Sequence, residues 1–519
     1  MTIENSQGHG SGVTEQIPDY DPYRQSAFRF AHIGKSTPSL TPTQLEAIAK
    51  SMRAEPQNVG AIATKDNDKI AAGFTYFGQF LAHDITISRH SGDESPALRL
   101  QSLYGHGPGA MPYLYAYYGT DFNDPAMRSL HHEESANYPI FRGVKLYVES
   151  VGGDQYDIRR LYTSQVPLMA DTRNDQNFLL LQLHCAFIRF HNAVADWLNF
   201  KRPALTGEAL FSETRKLVTW CYHRIIVEEY LKPLMYEGAL VDRLANPDHF
   251  LLFKPDEEPR MMPEFSRAAL RIGHSQVQDV YTLNRAKERR RIFGRQSARN
   301  NNLREKDLRG FTKYPFINFE WPLFFDMPEQ PLAQPSSAID HTIADPLNAL
   351  IFLKNRPALA QINLARSEAL PTGHAFASVL YPLVNEKTGA YHTLLTDDEV
   401  RLALGVEVKA HALPLWLYIL LEAEVKYGGQ NLGVLGSHIV AEQIMWVLAH
   451  EPYSYLKHET PLVQKNNKDI QIDHDGLSAK FKHITMAGLI QFPKEMRRDI
   501  QQDFNQRIFH AGGRGTTGQ

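Results

Sequence analysis

Apolar positions recur at helical spacing over most of the chain, and strand-like alternation is scarce. Thr41-Pro42-Thr43-Gln44-Leu45 sets polar caps and a proline ahead of an apolar-periodic run to about Met52, which predicts a helix start. Residues 178–200 are apolar on nearly every face and predict a central buried helix. Further helices are expected over 212–234, 346–362, 397–404, 414–425 and 439–449, and the best strand candidate is 144–151. From 91 to 157 the pattern loosens into a Gly/Pro/Tyr-rich region, with its clearest turn at Tyr104-Gly105-His106-Gly107-Pro108-Gly109. The expected fold class is mainly α: one large domain with long loops and little strand. Residues 1–40 read as a flexible N-terminal arm, 41–510 as the body and 511–519 as a disordered Gly-rich tail.

Composition narrows this picture. With 519 residues, 43% hydrophobic and 11% aromatic, the chain can bury a sizeable core. A formal net charge of -3 gives no global argument for nucleic acid or an anionic membrane. The basic stretch 285–299 lacks interleaved aromatics and reads as a solvated helix face or loop, so no nucleic-acid partner is expected. Cys185 and Cys221 stand in apolar, helix-like segments without metal spacing, which excludes a disulfide framework. Residues 1–12 are polar with no apolar core of a signal peptide. The run 412–421 is too short to span a bilayer and contains Pro414. A soluble, cytoplasmic protein with no transmembrane segment is the expectation, with oligomeric state open.

Candidate chemistry concentrates in Phe77-Gly78-Gln79-Phe80-Leu81-Ala82-His83-Asp84-Ile85-Thr86, an apolar segment that carries an amide, an imidazole and a carboxylate. In a helix Gln79 and His83 share a face and Asp84 turns away from them. Taken alone, His83 reads equally well as a satisfied core histidine. Three other pieces accompany it: Arg173; the segment Leu270-Arg271-Ile272-Gly273-His274-Ser275; and Gln361-Ile362-Asn363-Leu364-Ala365-Arg366. In this order and at these separations they resemble the animal-type haem peroxidases of the peroxidase–cyclooxygenase superfamily, over roughly residues 65–450, and residues 414–442 look like the bacterial branch of that family.

The resemblance implies a haem-dependent peroxidase that uses hydrogen peroxide to oxidise a small organic substrate through a ferryl intermediate. It makes His83 the distal acid/base, Gln79 its neighbour over the haem and Arg173 the distal arginine. His274 becomes the axial ligand of the haem iron, with Asn363 accepting a hydrogen bond from its other nitrogen. Arg271 and Arg366 match positions near the haem propionates. The residue types suit the chemistry, since a neutral imidazole can move a proton near neutral pH and a permanent guanidinium can stabilise an anionic oxygen. His184 and His191, seven apart on the central helix, match family histidines in a structural role.

Departures from the family pattern carry information too. Ala82 and Gln176 stand where many members tie the haem through ester bonds, and Asn177 stands where one relative forms a sulfonium link. Non-covalent haem b is therefore expected. The family's calcium loop aligns with Ser95 to Gly105, placing Arg99 and Gln101 at ligand positions. A guanidinium cannot ligate a cation. The expectation is that calcium is lost and that Asp84 pairs with Arg99. A haem-dependent fatty-acid dioxygenase of the same superfamily is the alternative, although such enzymes place a radical-forming tyrosine three residues before the proximal histidine, where this chain has Arg271. A haem-binding protein without turnover needs neither His83 nor Arg173.

Overall fold

The computed structural model describes residues 39–54, 66–91 (of 88–91 the backbone alone), 96–116, 143–254, 257–294, 307–309, 317–328, 330, 333–349, 357–457, 481 and 483–498. The expected arm up to residue 38, the tail and residues 295–299 of the basic stretch lie outside them.

Helices α1 (Pro42–Ser51), α2 (Ala72–Ser91), α3 (Phe178–Lys201), α4 (Gly207–Ile225), α5 (Leu359–Ser367), α6 (Gly373–Thr388), α7 (Asp397–Leu404), α8 (Leu415–Tyr427) and α9 (Val434–His450) build a mainly helical body. Strand is confined to two-stranded antiparallel pairs among the described residues. They are β1 (Asp66–Ala71) with β6 (Pro335–Ser337), β2 (Glu149–Gly152) with β3 (Gln155–Asp157), and β4 (Val280–Thr282) with β5 (Arg289–Arg291). The mainly α fold class is the observed one.

Local chemistry explains where elements begin. Thr41 and Gln44 close a reciprocal capping box ahead of α1. Asn177 caps α3 by accepting from the Leu180 amide at 2.9 Å. Helix α3 is buried on nearly every face and is the centre of the core. It is also the one described helix long and apolar enough to cross a membrane. Here it is wrapped by protein instead: Phe80 of α2 stacks on Phe187 at 5.0 Å, and Tyr222 of α4 meets both rings edge-on. Such pairs add roughly 0.5–1.5 kcal/mol each beyond burial.

Strand β1 runs straight into α2, and the junction is held by buried Asn67. Its oxygen accepts from the Lys69 and Ile70 amides, while its nitrogen donates to the Gly429 carbonyl. The start of the Gln79/His83 helix is thereby tied to the end of α8.

Three expectations need correction. Of the helix expected over 346–362, the described residues hold a short helix at Asp345–Asn348 and the start of α5 at Leu359, with non-helical backbone at Pro357 and Ala358, while residues 350–356 lie outside them. A proline has no N–H for the ladder and disfavours helical backbone at the preceding residue. The strand expected over 144–151 begins at Glu149. Ahead of it Leu146 makes only an isolated antiparallel bridge with Tyr115, and its own amide and carbonyl turn to the Asn192 side chain of α3, which accepts from the one and donates to the other at 2.9 Å each. The helix expected over 212–234 starts earlier, at Gly207, and widens at Ile226–Leu231 into a π-helical turn. Helix α6 was not anticipated. The basic stretch is partly strand: in β5, Arg290 pairs with Glu288 and Arg291 with Asp279.

Tyr230 of the π-helical turn lies against Gly78, where an added Cβ would stand 2.5 Å from the Tyr230 hydroxyl. Gly78→Ala is expected to lower stability by about 1–3 kcal/mol through overpacking. Gly78→Ala/Tyr230→Phe, which removes the clashing oxygen, should recover part of that loss in thermal melts.

Candidate active site

One stripe of α2 is left half-buried: Phe74, Gly78, Gln79, Ala82 and Thr86, at helical spacing. Across from it, and packed against α2, a π-helical turn (Glu264–Ala268) tightens into a 3-10 helix (Ala269–His274). In a 3-10 helix residues three apart eclipse, so Arg271 and His274 project to one side. Leu270, Arg271, Gly273 and His274 are half-buried as well. A Cβ added at Gly273 would meet nothing within 4 Å, so the backbone beside His274 borders open space.

His83 lies on α2, next to this stripe. Its Nδ1 donates to Asn174 Oδ1 at 2.8 Å. An amide oxygen only accepts, so the His83 proton is on Nδ1 and the lone pair on Nε2. Burial, followed by the nearby Arg173 charge, pushes the His83 pKa down to about 4, against opposition from Asp171 and Asn174. The ring is a neutral base at neutral pH.

Arg173 is fixed from both ends. Asp171 accepts from its Nε at 2.9 Å and from a terminal nitrogen at 2.6 Å, while further bonds reach Thr86 Oγ1 at 3.0 Å and the His83 carbonyl at 2.9 Å. Such a charge-assisted fork holds the guanidinium beside His83. Behind it, buried Arg160 bonds both Asp175 and Asp157, clamping the loop that carries Arg173 and Asn174.

Gln79 donates to Gln176 at 3.0 Å and accepts from Asn177 at 3.3 Å. Gln176 and Asn177 are thus both tied to Gln79. The α2 stripe presents a methyl at Ala82, and neither Ala82 nor Gln176 has a carboxylate to esterify.

On the proximal side, fully buried Asn363 meets His274 Nδ1 at 3.0 Å. Arg366 lies three residues further along α5, on a neighbouring position of the same face. Burial and then Arg271 and Arg366 push the His274 pKa down to about 3. One detail differs from the expectation that Asn363 accepts from His274: the amide nitrogen is the end facing the ring, and Oδ1 is buried without a hydrogen-bond partner. A donor facing Nδ1 leaves the ring proton on Nε2. A histidine that ligates iron through Nε2 needs its proton on Nδ1, and half a turn of the Asn363 side chain presents the orphaned Oδ1 to receive it. The residues present therefore fit a haem ligated by His274, with Arg271 and Arg366 supplying cations for its propionates.

Asp84 does not pair with Arg99. Leu100 adopts a left-handed backbone (φ 54°), which turns the Leu100 and Ser102 amides onto the Asp84 carboxylate at 3.0 Å each. Arg99 points the other way and reaches Glu451 at 2.7 Å. Burial still raises the Asp84 pKa to about 6, with both amides opposing. His184 and His191 also part company. His184 Nδ1 takes Asn174 Nδ2 at 3.3 Å, whereas His191 donates to the Val144 carbonyl at 2.8 Å and meets the Tyr104 hydroxyl at 3.0 Å.

Asn174, Asp171 and Arg160 were not singled out in the sequence. The readable signal was their crowding beside Arg173, where five of the seven residues 171–177 carry charged or amide side chains besides Arg173 itself.

Residues 149–367 match the animal haem peroxidase family, a span that holds Arg173, Arg271, His274, Asn363 and Arg366 but not Gln79 or His83. The match covers under half of the chain. It is 25% identical over 313 residues to a chorion peroxidase of Drosophila melanogaster, covering 55% of this chain and 34% of that protein. Eosinophil peroxidase of Mus musculus is 32% identical over 111 residues, covering 21% of this chain and 15% of that one. The chain thus spans about a third or less of these curated relatives. Among solved structures, peroxidase A of Dictyostelium discoideum superposes with TM-score 0.53 at 14% identity, over 87% of this chain and 92% of that one. A fatty acid alpha-dioxygenase of Arabidopsis thaliana gives TM-score 0.50 at 14% identity, over 83% and 73%.

His83, His184 and His191 all have pKa values pushed by burial to about 4, against roughly 6.5 for histidine in an unfolded chain. The unfolded chain then binds more protons between pH 4 and 6.5, so stability is complete above that window and is lost as pH falls through it. Each ring contributes on the order of 3 kcal/mol at full shift. Asp84, Glu264 and Glu422, whose pKa values burial raises to about 6, 7 and 7, oppose this: their contribution is present at low pH and is lost as pH rises through those values. On going from pH 6.5 to pH 4.5 the melting temperature of the parent should fall relative to that of His184→Gln; a variant that tracks the parent across this range would contradict a buried neutral His184.

Proposed function

We propose that the chain is a haem-dependent oxidoreductase, and specifically a peroxidase that takes hydrogen peroxide and a small organic reductant. The observation that supports this most is the state of His83: a neutral ring with its proton held on Nδ1 by Asn174, and a guanidinium fixed beside it. His83 Nε2 is free to take a proton from hydrogen peroxide and to return it to the departing oxygen. Arg173, permanently charged and oriented by Asp171, stabilises the anionic oxygen as the O–O bond breaks. Gln79 is positioned by Gln176 and Asn177 to offer a polar contact at the same face. A haem b, when bound, supplies the iron at which peroxide is activated, and His274 would hold it with Asn363 and the two arginines.

The haem is held without covalent bonds in this reading, because Ala82 and Gln176 offer no carboxylate. Calcium has no role at Asp84, whose charge is answered by two backbone N–H groups. The fatty-acid dioxygenase alternative is disfavoured by Arg271. The 3-10 turn places residue 271 directly over His274, and an arginine there cannot serve as the radical-forming tyrosine.

Purified haem-loaded protein should oxidise a phenolic dye with hydrogen peroxide and should not take up oxygen with linoleate in its absence. His83→Ala should retain haem yet react with peroxide about 10²–10⁴-fold more slowly. Oxygen uptake with linoleate alone would establish the dioxygenase instead, and a His83→Ala variant as fast as the parent would remove His83 from the chemistry.

A further inference from the structure

Asn174 is fully buried between two imidazoles. The oxygen and nitrogen ends of an amide have nearly the same shape, so its orientation is decided by what each end meets. Oδ1 meets His83 Nδ1 at 2.8 Å, and Nδ2 meets His184 Nδ1 at 3.3 Å. The NH2 group only donates, so His184 Nδ1 is the lone-pair nitrogen and that ring carries its proton on Nε2. Residue 184 is itself enclosed, at 2% exposure, with the Phe80 ring 6.2 Å away. The small cavity it lines is walled largely by Leu103, Leu114, Leu168, Met169 and Ile188.

We propose that His184 is a positioning residue that selects the tautomer of His83: its Nδ1 lone pair orients the Asn174 amide, and the amide in turn holds the His83 proton on Nδ1. The inference rests on the reading of His83 as the proton acceptor. Were the amide turned over, Nδ2 would face His83 Nδ1, which would then have to be the lone-pair nitrogen. The proton would move to Nε2, the atom that has to receive one from peroxide. A buried donor left without an acceptor costs about 1–3 kcal/mol. Asn174 Nδ2 therefore follows whichever side offers a lone pair, and only His184 offers one while His83 keeps Nδ1–H. Burial keeps His184 neutral, and so keeps that lone pair available, at any pH where His83 is itself a base.

The test distinguishes an acceptor at position 184 from mere bulk. In haem-loaded protein held as the diamagnetic ferrous carbon monoxide form and labelled with 15N-histidine, NMR reports which nitrogen of His83 bears the proton. The parent should show Nδ1–H alone, and His184→Gln, whose amide oxygen accepts, should keep it. His184→Phe fills the space without an acceptor, so the Nδ1–H share should fall to about half. The rate of the peroxide reaction should fall in the same proportion, with KM for the reductant unchanged. Asn174→Asp accepts at both ends and should restore Nδ1–H in the His184→Phe background. A His83 that stays wholly Nδ1–H in His184→Phe, or that carries its proton on Nε2 in the parent, overturns the proposal. A parent inert to peroxide would overturn the function above while leaving the tautomer result to stand by itself.

Discussion

The hydrogen bond from His83 to Asn174 is the constraint on which the rest of the site depends. Buried polar groups must find partners or cost stability, and α2 brings an imidazole, an amide and a carboxylate into a nearly apolar core. Each finds its partners on a neighbouring segment. His83 is answered by Asn174, Gln79 by Gln176 and Asn177, and Asp84 by the amides of Leu100 and Ser102. Two of these three partners lie in the few residues that lead into α3. The loop is therefore registered against α2 by the residues that give the site its chemistry, and Arg160 fixes it again from behind through Asp175 and Asp157.

The two sides of the cleft differ in how complete they are. On the distal side every named group has its partner, and the tautomer of His83 follows from the hydrogen-bond pattern alone. On the proximal side Asn363 keeps a buried oxygen without a partner while its nitrogen faces His274. The proposed haem would resolve that asymmetry: with His274 holding it through Nε2, the ring proton would sit on Nδ1 and give the orphaned oxygen its donor. The switch from π-helical to 3-10 backbone over Glu264–His274 contributes geometry, because it sets Arg271 and His274 in one line.

Much of this was legible in the residues. The all-round apolar character of α3, the capping box of α1 and the helices α7, α8 and α9 follow from local pattern and cap chemistry, which act over a few residues. The late start of α5, at Leu359, was hidden because apolar spacing continues through 346–362, and Pro357 outweighs it. Helix α6 escaped although Thr372 and Gly389 are good caps, since Pro382 lies inside the helix. Arg99 and Asp84 have complementary charge, yet one left-handed residue, Leu100, reverses where the loop points, and a leucine does not advertise that conformation. The roles of Asn174 and His184 depend on which end of an amide faces which ring, a three-dimensional fact with no trace in spacing.

The proposal that carries most of the account is that His274 ligates a haem beside α2. Titration of the apo-protein with hemin tests it directly. Saturation at one equivalent with a Soret band, lost in His274→Gly and restored when imidazole is added to that variant, is the predicted result. A His274→Gly variant that binds hemin with the parent's stoichiometry and spectrum would contradict it.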